Sequence, residues 1–139
     1  MTDAELARIR TSFAAQSMMA TLGAEIEEIA PGHVRITAPI LPGSLQQQGF
    51  GHAGLTFSIG DSAAGYAGLS TLPLTHEVLT AEIKINLLAP AKGDYLRATG
   101  RVIKPGRRLI VVASDVHAIH GDRETLIAVL QGTMVPVAL

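Results

Sequence analysis

The segment from His52 to Ser70 contains no proline, and Leu55, Ile59, Ala63, Tyr66 and Ala67 recur through it at helical spacing. A helix over this stretch is about 28 Å long at ~1.5 Å rise per residue. Gly54, Gly60, Gly65 and Gly68 stand in it among alanines, and each interior glycine costs roughly 1 kcal/mol relative to alanine. Tertiary packing must offset that cost. Small side chains let a curved sheet approach a helix closely, so this helix is expected at the centre of the fold, enclosed by its neighbours.

The flanking patterns supply those neighbours. Asp3 can cap a first helix in which Leu6, Ile9, Phe13 and Ala14 form one apolar stripe, ending near Thr21. Ile26 and Ile29, then Val34, Ile36, Ala38 and Ile40, make two strand-like runs about Pro31-Gly32-His33, which reads as a hairpin. A loop from Leu41 to Gly51 follows, with Gln46, Gln47 and Gln48 in succession and Gly49 and Gly51 around Phe50. Beyond the long helix come strand-like runs from Val78 to Leu88, Asp94 to Ile103, Leu109 to His120 and Thr125 to Val137. Turn signals at Pro90-Ala91-Lys92-Gly93, Lys104-Pro105-Gly106 and His120-Gly121-Asp122 separate them. The order of helix, hairpin, long helix and antiparallel meander predicts one α+β domain over residues 1–139, its sheet packed on one helix.

Composition narrows the chemistry. A net charge of -1, from 11 basic and 12 acidic residues, gives no field to draw in a nucleic acid or an anionic membrane. Cysteine is absent, which excludes a disulfide framework, a thiolate nucleophile and a cysteine zinc site, and fits a cytoplasmic protein. Charges interrupt the apolar residues from Thr2 to Met19, so no secretory signal is expected there, and no apolar stretch reaches spanning length. His33, His76, His117 and His120 have no supporting acidic pattern, and three-residue spacing puts His117 and His120 on opposite faces of a strand. No metal site is therefore expected. A mean hydropathy of +0.33 is high for a monomer of this length, which leads to the expectation that part of the surface is buried in a homo-oligomer.

Two features of the long helix carry chemistry. Asp61 lies in its apolar middle, with no Lys or Arg between Gly43 and Lys84. A carboxylate buried there is expected to have a raised pKa, whereas one on a solvated stripe with Ser58 and Ser62 would be unremarkable. The start of the helix, Gly51-His52-Ala53-Gly54, presents unpaired backbone N–H groups with little side-chain bulk, a place suited to an anion or a developing oxyanion.

Three stretches then resemble a known family. They are Gln47-Gln48-Gly49-Phe50-Gly51-His52-Ala53-Gly54, Ile59 to Ala67 around Gly60-Asp61-Ser62, and Leu79-Thr80-Ala81-Glu82-Ile83-Lys84-Ile85-Asn86-Leu87-Leu88-Ala89-Pro90-Ala91. The likeness is to the hotdog thioesterases of the PaaI, or phenylacetate-degradation, type, relatives of the 4-hydroxybenzoyl-CoA thioesterases. It covers nearly the whole chain after the first helix. The family's His-Gly-Gly is here His52-Ala53-Gly54; because the donor in that pattern is a backbone N–H, alanine serves as well.

The resemblance implies a hotdog fold and hydrolysis of a small, aromatic or medium-chain acyl-CoA, without metal or redox cofactor. By it Asp61 is the acid, either general base toward water or nucleophile on the thioester carbonyl. The Ala53 N–H, backed by Gly54 and the helix start, would hold the carbonyl oxygen. Gln46 would orient water or carbonyl, His52 would brace the loop, and Thr80 would hold the attacking water. Phe50 and Tyr66 are expected to line the acyl pocket and Asn86 to contact substrate, with Lys104, Arg107 and Arg108 meeting the CoA phosphates. Eight residues separate Ala53 from Asp61, about 12 Å along a helix. They cannot both touch one carbonyl, so the mechanism requires a site shared between subunits of a dimer, and the family implies that dimers often pair into tetramers. Two rival readings are a hotdog module that binds acyl-CoA without turnover and a hotdog dehydratase. The second needs a catalytic His in a His-Phe-Pro-like setting, whereas Ala53 and Gly54 follow His52 here.

Overall fold

A computed structural model describes all residues from Met1 to Leu139. The chain forms α1 (Asp3–Ala15), α2 (Ser17–Leu22), β1 (Glu25–Ala30), β2 (His33–Pro39), a 3-10 turn (Pro42–Ser44), α3 (Ala53–Leu69), β3 (His76–Leu87), β4 (Tyr95–Lys104), β5 (Ile110–His120) and β6 (Arg123–Ala138). No helix is long and apolar enough to cross a membrane.

The expected first helix is two. α1 is capped by Thr2, not Asp3, through a reciprocal box in which Thr2 Oγ1 accepts the Glu5 N–H and Glu5 Oε2 accepts the Thr2 N–H. It stops at Ala15, although neither glycine nor proline lies between Thr2 and Leu22. Gln16 takes an extended conformation and α2 follows, burying Met19 and Leu22. Gly23 then ends α2 in the left-handed region at φ +69°, where a side chain would be strained.

The strands form one six-stranded antiparallel sheet in the order β1-β2-β4-β5-β6-β3. The simple meander expected after α3 is thus wrong in one respect. β4, β5 and β6 are sequential neighbours, but β3 pairs with β6 and β4 pairs with β2. The residues after β3 cross the end of the sheet, which leaves β3 at one edge and the hairpin at the other, with α3 held in the curve between them. This is the hotdog arrangement.

Small residues set the depth of α3. A Cβ on Gly100 of β4 would overlap the Ala63 carbonyl and the Ala64 nitrogen, so helix backbone rests directly on strand backbone. On either side, fully buried Ile59, Val34, Ile36, Leu96 and Val116 fill the interior, each such aliphatic side chain contributing about 1.5–3 kcal/mol by burial. The far end of α3 is tied down from α1. Arg8 donates to the carbonyl oxygens of Leu69 (2.9 Å), Leu72 (3.0 Å), Pro73 (2.7 Å) and His76 (3.3 Å). A guanidinium among the carbonyls ending a helix satisfies acceptors that the helix cannot and opposes the negative end of its dipole.

Candidate active site

Asp61 projects from the middle of α3 toward β3. Thr80 Oγ1 donates to Asp61 Oδ1 at 2.8 Å, and the same hydroxyl lies 3.3 Å from Met134 Sδ. Removal from water pushes the Asp61 carboxyl above its usual range, and the Thr80 hydrogen bond works against that by favouring the charged form. The expected raised pKa is present, and the partner is a hydroxyl, not a cation. One carboxylate oxygen is bound by Thr80, leaving the other to act on a ligand.

A β-bulge explains what else β3 presents. Thr80 pairs with Met134, but the next partner pair is Glu82 with Thr133, so Ala81 is the extra residue. Val78 and Thr80 face the helix before the bulge; after it the inward set is Ile83 and Ile85. Simple alternation from Thr80 would have kept Asn86 on the helix side. With the phase reversed, Asn86 joins Glu82, Lys84, Arg101 and Asp115 along a groove on the outer face of the sheet. Asn86 therefore stands away from Asp61 and from the start of α3 within its own chain.

The start of α3 is braced on three sides. The Gly51 N–H donates to Ala91 O and the His52 N–H to Ser44 O, both at 2.8 Å. His52 is the N-cap: its Nδ1 accepts the Gly54 N–H at 2.7 Å. The Gly54 donor is thus consumed within the cap, while the exposed Ala53 N–H has no acceptor in the chain. Gln46 shapes the preceding loop. Its Oε1 accepts from the Gln48 and Phe50 N–H groups, and its Nε2 has only a 3.4 Å contact to Gln48 Oε1, which leaves an amide donor free. Gly49, at φ +85°, makes this tight turn possible.

These residues fall into two separate cavities. Gln46, Phe50, His52 and Ala53 line one of about 380 Å³, with Thr56, Leu87 and Ala91 among its other walls. Asp61, Tyr66 and Thr80 line another of about 180 Å³ with Ser12, Gln16, Ser62, Gly65 and Val78. The two linings share no residue. Lys104, Arg107 and Arg108 are exposed at the β4–β5 turn, and Arg107 reaches a third cavity beside Thr71, Leu72 and His76. Sequence reasoning missed Ser12 and Gln16. Their signal was available as two polar residues one helical turn apart beside the Ile9 and Phe13 stripe, but it named no partner.

Comparison with known proteins gives a consistent result. A family model described as Thioesterase superfamily matches residues 48–125, more than half of the chain and including Ala53, Asp61 and Thr80. A Saccharolobus solfataricus protein named "Putative esterase" is 36% identical over 114 residues, covering 82% of this chain and 73% of that protein. The crystal structure of a thioesterase family protein from Silicibacter pomeroyi superposes with a TM-score of 0.94 at 38% identity, covering 97% of this chain and 99% of the other. The E. coli PaaI protein from the phenylacetic acid degradation operon shares the fold, with a TM-score of 0.86 at 20% identity over 97% of this chain and 94% of its own.

Proposed function

The chain belongs to the thioesterase superfamily, and on that premise we propose that it hydrolyses an acyl-CoA thioester to the free acid and CoA at a site built by two subunits. The observation that carries this reading is the separation of its two half-sites. Asp61 with Thr80 lies in one cavity, and the free Ala53 N–H lies in another, eight residues earlier on the same helix.

A second copy related by a two-fold axis at the β3 edge would set the two α3 helices antiparallel and bring Ala53 of one subunit opposite Asp61 of the other. The two sheet edges support that choice of face. β1 carries Glu25, Glu27 and Glu28, the kind of charge that discourages pairing. β3 and the residue after it expose Leu79 (61%), Leu87 (55%) and Leu88 (55%), apolar surface that a partner would cover.

In the resulting site the Ala53 N–H, at the positive end of α3, stabilises the carbonyl oxygen as it becomes an oxyanion. Asp61 accepts a proton from water as the water oxygen attacks the carbonyl carbon. Collapse of the tetrahedral species breaks the C–S bond, and the departing thiolate takes up a proton to give CoA. The raised pKa of Asp61 makes it a stronger base than an ordinary aspartate.

Free-thiol release from a panel of short, medium-chain and aromatic acyl-CoAs tests the reading. Turnover above the uncatalysed rate is expected for at least one member. Tight binding of acyl-CoA without thiol release would replace the enzyme with a binding module.

A further inference from the structure

The break between α1 and α2 has no cause in its own residues, and the side chain at the break reaches the cavity of Asp61. Gln16 occupies the N-cap position of α2, where Ser, Thr, Asp or Asn serves best, yet its side chain caps nothing. Its amide is engaged on α3. Gln16 Nε2 donates to Tyr66 Oη at 2.6 Å, and Ser62 Oγ donates to Gln16 Oε1 at 3.5 Å. Ser12 Oγ lies 3.1 Å from the same tyrosine oxygen, and the Phe13 ring stands 6.1 Å from the Tyr66 ring. The nitrogen end of the Gln16 amide is therefore held by Tyr66, and its oxygen end lies beside Ser62, next to Asp61 on the same helix.

From this arrangement the geometry points to Gln16 as the specificity-determining residue that closes the acyl end of the Asp61 cavity and limits the length of acyl chain hydrolysed. The inference rests on the thioesterase reading above. The acyl carbonyl must stand beside Asp61, so the chain it carries enters the cavity that Thr80 and Val78 bound on one side and Gln16, Ser12 and Tyr66 on the other. That space is about 180 Å³. It takes a short acyl group, and a longer one meets the Gln16 amide. Because the 2.6 Å bond to Tyr66 Oη anchors the amide, rotation of the Gln16 side chain out of the wall breaks that bond.

The test compares Gln16→Ala and Gln16→Phe with the unsubstituted protein across straight-chain acyl-CoAs from two to twelve carbons, on the order of the span between a group that fits this space and one that cannot. In parallel, the affinities of S-alkyl-CoA thioethers of the same lengths are measured. Gln16→Ala is expected to raise kcat/KM for long relative to short chains by about tenfold, and Gln16→Phe to shift the optimum toward shorter chains. The thioether affinities are expected to move the same way. A generally loosened structure would lower all chain lengths together in both variants. That result, or an unchanged length profile in Gln16→Ala, overturns the assignment. Should Gln16→Phe fail to fold, the Gln16→Ala profile decides alone. Absence of thiol release from the unsubstituted protein defeats the thioesterase reading, while the thioether affinities still report on the wall.

Discussion

Thr80 Oγ1 stands 2.8 Å from Asp61 Oδ1 and ties the edge strand β3 to the only carboxylate on the central helix. Burial holds the proton on that carboxylate and the threonine draws it off, so the strand on which a second subunit is proposed to dock also tunes the acid.

Replacing Asp61 with Asn is expected to lower kcat by about 10³-fold, the scale of a positioned base, while acyl-CoA affinity stays within a few-fold. Undiminished thiol release would remove Asp61 from the chemistry. The same variant carries a stability signature. The folded pKa of Asp61 is raised, so the folded state gains from its protonation at low pH and loses that advantage as pH rises through the folded pKa. The melting temperature of Asp61→Asn relative to the unsubstituted protein is thus expected to increase across that window and level off above it.

Thr80→Val removes the interaction that lowers the Asp61 pKa and leaves the burial that raises it. The acidic limb of the kcat/KM profile is expected to move to higher pH, with about tenfold less activity where the limb now falls. Thr80→Ser should restore the original profile. A limb that does not move in Thr80→Val would show that this hydroxyl has no hold on the acid.

Ala53→Pro deletes one backbone N–H at a position built to accept proline. Ala53 is the first residue of α3, where proline is favoured, and His52 before it is already extended at φ -65° and ψ 146°. The expected result is an unchanged fold and a loss of kcat of about 10²–10³-fold. Full activity in a folded Ala53→Pro protein would place the oxyanion elsewhere.

Arg8→Ala strips the donors from the carbonyls at the end of α3. A loss of about 2–3 kcal/mol is expected from denaturant titration, given the worth of charged hydrogen bonds and their partial exposure. Arg8→Met, which keeps the packing stem, should recover only a small part of it. A melting curve indifferent to both changes would mean that water serves those carbonyls equally well.

Much of this was legible in the sequence because it is local. The glycine-rich helix, the strand runs and the turns at Gly32 and Gly121 follow from spacing and from backbone preferences that act within a few residues. What escaped was decided at a distance. The pairing of β3 with β6 instead of β4 depends on how the sheet closes on α3, and the bulge at Ala81 that turns Asn86 outward depends on that pairing. Gln16 stands at the break between α1 and α2 with its side chain on Tyr66, far along the chain. Arg8 reads locally as one more helix charge, and only the folded chain brings the end of α3 to it. Asp61 was conspicuous by its surroundings, whereas the family resemblance gave Thr80 only the role of holding the attacking water, and nothing in the spacing of the two residues implies the hydrogen bond between them.

The most direct test of a site shared between subunits mixes two inactive proteins, Asp61→Asn and Ala53→Pro, under conditions that allow subunits to exchange. Random reassortment of equal amounts makes about half the dimers hybrids, each with one site that joins an intact Asp61 to an intact Ala53 from the other chain. Thiol release is then expected to return to about a quarter of the unsubstituted rate, in proportion to the hybrid fraction. Verified hybrids that stay as inactive as their parents would contradict the shared site.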